Sequence, residues 1–72
     1  MTVRDIVRDF EAAVLRAVAA GDASDIERAR DEADDRLRAA KAGADGKTLE
    51  TIFTAALEIG TKVNMAKKTI SK

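Results

Sequence analysis

The sequence predicts an all-α domain of three helices, and three observations carry that reading. Apolar residues recur at three- and four-residue spacing in three successive segments. Glycines break the pattern twice, at Gly21 and at Gly43 with Gly46. A residue able to cap a helix (Thr2, Ser24, Thr48) stands at the start of each segment. The helices are expected at about residues 3–20, 25–42 and 49–69, within one domain covering residues 1–72.

In the first helix, Val3, Ile6, Val7, Phe10, Val14, Ala17 and Val18 form one stripe, with Arg4, Arg8, Glu11 and Arg16 away from it. Thr2 supplies a hydroxyl for the free amides of the first turn, and Asp5 places negative charge at the positive end of the helix dipole. Gly21 offers the left-handed conformation that commonly ends a helix.

Ser24-Asp25-Ile26-Glu27 has the pattern of a capping box and is expected to open the second helix. Its apolar stripe (Ile26, Ala29, Ala33, Leu37, Ala40) is narrow and mostly alanine, so a neighbour can approach closely but gains little burial per residue. Glu32–Arg36 and Asp34–Arg38 are spaced for favourable four-residue ion pairs. Eleven of the seventeen residues from Asp25 to Lys41 are charged, which makes this helix a solvated outer wall.

Gly43-Ala44-Asp45-Gly46 turns the chain again, and Thr48 is the expected cap of the third helix. There Leu49, Ile52, Ala56, Ile59, Val63, Ala66 and Ile70 alternate at threes and fours over three heptads. Phe53 and Gly60 widen that face, whereas Leu57 and Met65 lie off it. Gly60 costs about 1 kcal/mol relative to alanine inside a helix, so a kink, a close crossing or a helix break is expected there.

Composition removes most chemistry. The 72 residues include 13 basic and 13 acidic side chains but no His, Cys, Trp, Tyr or Pro. There is therefore no imidazole base, thiol nucleophile, disulfide or ordinary zinc site. Neither a catalytic residue, a cofactor site, a metal site nor a small-molecule substrate is expected. The zero net charge hides an asymmetry, because all seven Arg precede Ala39 and all six Lys follow Ala40. No run approaches the roughly 18 apolar residues of a membrane span. The first residues lack the continuous apolar core of a secretory signal. A soluble, cytoplasmic protein with no membrane role is expected.

Two strings mimic nucleotide-enzyme motifs. Asp31-Glu32-Ala33-Asp34 spells the metal-binding box of a helicase family, and Gly46-Lys47-Thr48 spells the end of a phosphate-binding loop. The loop needs a glycine where Lys41 stands, and both motifs need a preceding strand. Both matches are accidental.

The apolar arithmetic is more informative. Hydrophobic residues make up 46% of the chain, but fifteen of the 33 are Ala. Eighteen larger side chains form a light core, and Leu15, Leu57 and Met65 fall off the main stripes. These features predict a non-enzymatic protein–protein interaction module (an adaptor, assembly factor or inhibitor) that also self-associates, as small domains often do. Helices 1 and 3 are expected to form the apolar pair, with Leu15, Phe53, Leu57, Ile59 and Met65 as contact residues. Asp31, Glu32, Asp34 and Asp35 would offer an acidic patch to a basic partner.

The alternative is nucleic-acid binding. Ala56, Ile59, Gly60 and Thr69-Ile70-Ser71-Lys72 look like pieces of a helix-turn-helix, with Lys62, Lys67, Lys68 and Lys72 placed for phosphate contacts. The interval from Gly60 to Thr69 is several residues too long for that motif. The segment also contains no Arg to read guanine edges.

Overall fold

The computed structural model describes residues 2–71. Thr2 opens the first helix, α1 (Val3–Ala20), through a reciprocal box. The Asp5 backbone N–H donates to Thr2 Oγ1 at 3.2 Å, and the Thr2 N–H donates to Asp5 Oδ2 at 3.3 Å. The helix ends at Gly21, whose φ of 67° lies in the left-handed region where a Cβ is costly. That turn lets the Gly21 N–H reach the Val18 carbonyl at 3.1 Å and the Asp22 N–H reach Ala17 at 3.0 Å.

The second helix, α2 (Ala23–Lys41), starts two residues before its expected beginning. Its cap is Asp22, not Ser24: Asp22 Oδ1 accepts from the backbone N–H groups of Ser24 at 2.9 Å and Asp25 at 3.4 Å. An ionised carboxylate at a helix N-terminus is both acceptor and favourable charge, whereas a hydroxyl is only the acceptor. The same substitution of aspartate for the expected cap occurs at the third helix, α3 (Gly46–Ser71). There Asp45 Oδ1 accepts the Thr48 N–H at 2.8 Å, so Thr48 lies inside the first turn. Continuous helix runs through Gly60 to Ser71, so of the alternatives there the helix break does not occur, and with nothing within 4 Å of a Cβ built at Gly60 neither does a close crossing.

The two-residue link Gly21–Asp22 and the short turn at residues 42–45 make sequential helices antiparallel neighbours, so α3 runs in the direction of α1. The 26 residues of α3 span about 39 Å, which sets the long dimension of a molecule measuring 41 × 17 × 14 Å.

The core comprises Ile6, Phe10, Val14 and Ala17 of α1; Ile26, Ala29, Ala33 and Leu37 of α2; and Ile52, Ala55, Ile59, Val63 and Ala66 of α3. Three corrections to the sequence reading follow. Ala55 is buried while Ala56 is exposed. Ile59 is 1% exposed and belongs to the core, not to a surface face. The closest helix pairing is not α1 with α3, because α2 packs on both and the α1–α3 contact is the slimmest of the three. Alanine explains this last point. Small side chains at 29 and 33 let the α2 backbone settle into the cleft between its neighbours, while Ile26 and Leu37 fill the space at either end. Neither predicted α2 ion pair forms. Arg36 instead reaches across to Asp9 of α1 at 3.7 Å, and Arg38 turns to Asp35 at 3.6 Å.

Two stability predictions follow from these contacts. Asp22→Ala should cost about 1 kcal/mol, lowering the melting temperature by about 4–8 °C. Ser24→Ala should stay within about 0.5 kcal/mol, and thermal melts that reverse this order contradict the assigned cap. Ala33→Leu should lose about 1–3 kcal/mol through overpacking, whereas Ala39→Leu on the exposed side of α2 should be nearly neutral. Equal effects in chemical denaturation would show that α2 does not seat by its alanines.

Candidate functional site

Among the described residues no polar or charged side chain is buried, and no side-chain nitrogen or oxygen is buried without a partner. No cluster of three or more acidic residues is placed to hold a metal ion among them. No helix is long and apolar enough to cross a membrane.

Four large apolar side chains stand out in solvent: Leu57 is 75% exposed, Leu15 71%, Met65 62% and Phe53 57%. Their arrangement is not random. Phe53, Leu57 and Met65 fall at steps of four and eight along α3, with Thr61 in the remaining four-residue step, so all lie on one slowly winding row. Thr61 donates its hydroxyl back to the Leu57 carbonyl at 3.1 Å, and Thr54 does the same to Glu50 at 3.0 Å. With the hydroxyls turned to the backbone, the threonines present mainly their methyl groups.

Each end of the row is anchored on a neighbouring helix. At one end the Lys41 ammonium of α2 lies 5.6 Å from the centre of the Phe53 ring, within cation–π range. At the other, Met65 and Leu15 of α1 wall a shallow hollow of about 230 Å³ together with Val14, Glu11 and Lys62. A second shallow hollow continues along α3 past Lys62 and Thr61 to Leu57 and Thr54. The larger open groove of about 700 Å³ between α1 and α3 is walled by Arg4, Arg8, Glu50 and Glu58 over a floor that includes Val7 and Ala55. Charges of both signs line it, so it favours no single ligand charge.

The other predicted residues are placed differently. Asp31, Glu32 and Asp35 of α2 are exposed and Asp34 is half-buried, while Glu32 borders a groove between α1 and α2 beside Arg16 and Arg28. Asp34 is 3.8 Å from Arg30, and Asp35 lies beside Arg38, so arginines offset the acidic patch. Of the four lysines, Lys62 donates to Glu11 Oε1 at 2.6 Å, and Lys67 is paired with Glu27. Both ties join α3 to another helix. Lys68 is exposed, and Lys72 lies outside the described residues. Because α3 is unbroken at Gly60, the helix-turn-helix arrangement has no turn to rest on.

The displaced carboxyl groups are structural. The Thr2 backbone N–H holds Asp5 below the ordinary aspartate range, the Thr48 backbone N–H does so for Asp45, and the Lys67 hydrogen bond lowers Glu27. Two are helix caps and one ties helices together. Sequence reasoning missed the ties Asp9–Arg36, Glu11–Lys62 and Glu27–Lys67, since spacing within one helix says nothing of charges brought together by packing. No protein-family model, curated protein or solved structure matches the chain.

A pH dependence follows with a definite sign. A carboxyl whose pKa is lower folded than unfolded stabilises the fold above its unfolded value, and that contribution is lost as pH falls through the folded value. The melting temperature should therefore drop on acidification from about pH 5 to about pH 2. Asp45→Asn retains a cap acceptor without a titrating group, so it should show a smaller drop than the parent in melts followed by circular dichroism. An equal drop would remove Asp45 from the account.

Proposed function

We propose that the protein is a non-enzymatic interaction module that joins copies of itself through the outer face of α3, with Leu15 of α1 at its edge. One observation carries the reading: the core closes without Phe53, Leu57, Met65 or Leu15, yet these four side chains lie along one face instead of being scattered. Apolar surface left over from folding and gathered in one place is what a protein partner covers. The occupant is a second copy, because the face is long, shallow and weakly charged, the form that suits another helix laid along it. Glu58 and Lys62 are the only charged residues from Thr51 to Ala66, and Lys62 is held by Glu11.

Sedimentation equilibrium tests this reading. The wild-type chain should show about twice its 7.7 kDa mass at high micromolar concentration. Leu57→Asp should return it to the single-chain mass with its helical circular dichroism unchanged, because that side chain contributes nothing to the core. A wild-type mass of one chain throughout the concentration range, or unfolding of Leu57→Asp, contradicts the proposal.

A further inference from the structure

The outer side of α3 carries a second heptad seam. Glu50, Thr54, Leu57, Thr61, Asn64 and Lys68 follow one another at steps of four, three, four, three and four, and all six are exposed. This is the spacing by which one helix meets another at a shallow crossing angle of about 20°. The core stripe on the opposite side of the same helix has the same kind of spacing. Thus the inner side of α3 is packed by its own chain, and the outer side, with Leu57 at its middle, is exposed.

The order of residues along this seam reads as its own complement. Reversed and laid against itself about the midpoint between Leu57 and Thr61, the seam sets Leu57 opposite Thr61, Thr54 opposite Asn64 and Glu50 opposite Lys68. Each pair occurs twice, so opposite charges close both ends. A parallel arrangement would instead put Glu50 against Glu50 and Lys68 against Lys68, which like-charge repulsion disfavours. Glu50 and Lys68 have no ion-pair partner among the described residues, whereas Lys62 and Lys67 of the same helix are both taken.

We infer that two copies pair through α3 in antiparallel orientation about a two-fold axis, in the register that places Glu50 of each copy against Lys68 of the other. This rests on the reading that the outer face of α3 joins copies of the chain, and it adds the orientation and the residues that choose it. Such a contact is the same patch on both partners, so assembly stops at a dimer. At its centre, each Leu57 packs against the methyl group of Thr61 of the other copy, with the two Leu57 side chains flanking the two-fold axis. The ion pairs at the ends act mainly on orientation and register, since exposed pairs are individually weak.

The test is a charge exchange read by sedimentation equilibrium at low ionic strength, with circular dichroism confirming that each variant is folded. Glu50→Lys alone, or Lys68→Glu alone, puts like charges opposite each other at both ends of the seam. Each should weaken dimerisation by about tenfold. The double variant E50K/K68E restores both attractions with their signs exchanged and should return to within about threefold of the wild type. Failure of the double variant to recover would overturn the register. So would single variants with wild-type affinity in a chain that Leu57→Asp still dissociates, and in that case the face would stand. A wild-type chain that never dimerises would overturn both the register and the reading beneath it.

Discussion

The seating of α2 in the cleft between α1 and α3 is the contact on which the rest of the structure depends. It works because Ala29 and Ala33 add almost nothing to the helix radius, so that α2 packs on both neighbours with Ile26 and Leu37 buried in the shared core. Alanine also has the highest helix propensity, which favours a helix whose remaining surface is almost wholly charged. A larger side chain at position 33 would separate all three helices at once. Charge then aligns what the alanines hold. Arg36 with Asp9, and Glu27 with Lys67, tie α2 to α1 and to α3, while Glu11 with Lys62 ties α1 to α3.

Because α2 closes the core, apolar surface is left over in an informative place. Leu57, Met65, Phe53 and Leu15 would each stabilise a monomer if buried, yet the packing of three helices has no position for them. Helix α3 carries one heptad stripe for its own chain and a second whose members include Leu57 and three polar side chains between opposite charges. The second stripe is less apolar than the first. A strongly apolar outer face would risk unspecific collapse, whereas under the proposed pairing Thr54, Thr61 and Asn64 would restrict contact to an arrangement that satisfies them.

Much of this was legible in the sequence, and the failures have physical causes. Helix α1 was read to the residue because Thr2, Asp5 and Gly21 are unambiguous local signals that need no tertiary contact. The starts of α2 and α3 were read late because Asp22 and Asp45 stand just before plausible hydroxyl caps, and a carboxylate at a helix N-terminus competes well with either. Choosing Ala56 over Ala55 was an error of one position in a helix where both are small. The slight drift of a straight helix from a strict heptad decides which of them faces inward. Ile59 was assigned to the contact face although it sits on the core stripe, and burial removes it. The exposed positions of Leu15, Leu57 and Met65 did follow from their departure from the stripes. The second seam was present in the spacing of residues 50–68 but hidden, since five of its six members are polar or charged, and Thr54 and Thr61 look polar until their hydroxyls are seen to bond the backbone.

Backbone amide NMR across a dilution series tests most directly the claim that one chain completes its own core and leaves the outer side of α3 for another. On dilution, resonances of residues 50–68 should shift along a single concentration-dependent path, with Leu15 following at the edge. Those of Ile26, Ala29, Ala33 and Leu37 should stay fixed while the dispersion of a folded chain persists. Spectral collapse on dilution, or shifts centred on α2 with α3 unchanged, would contradict it.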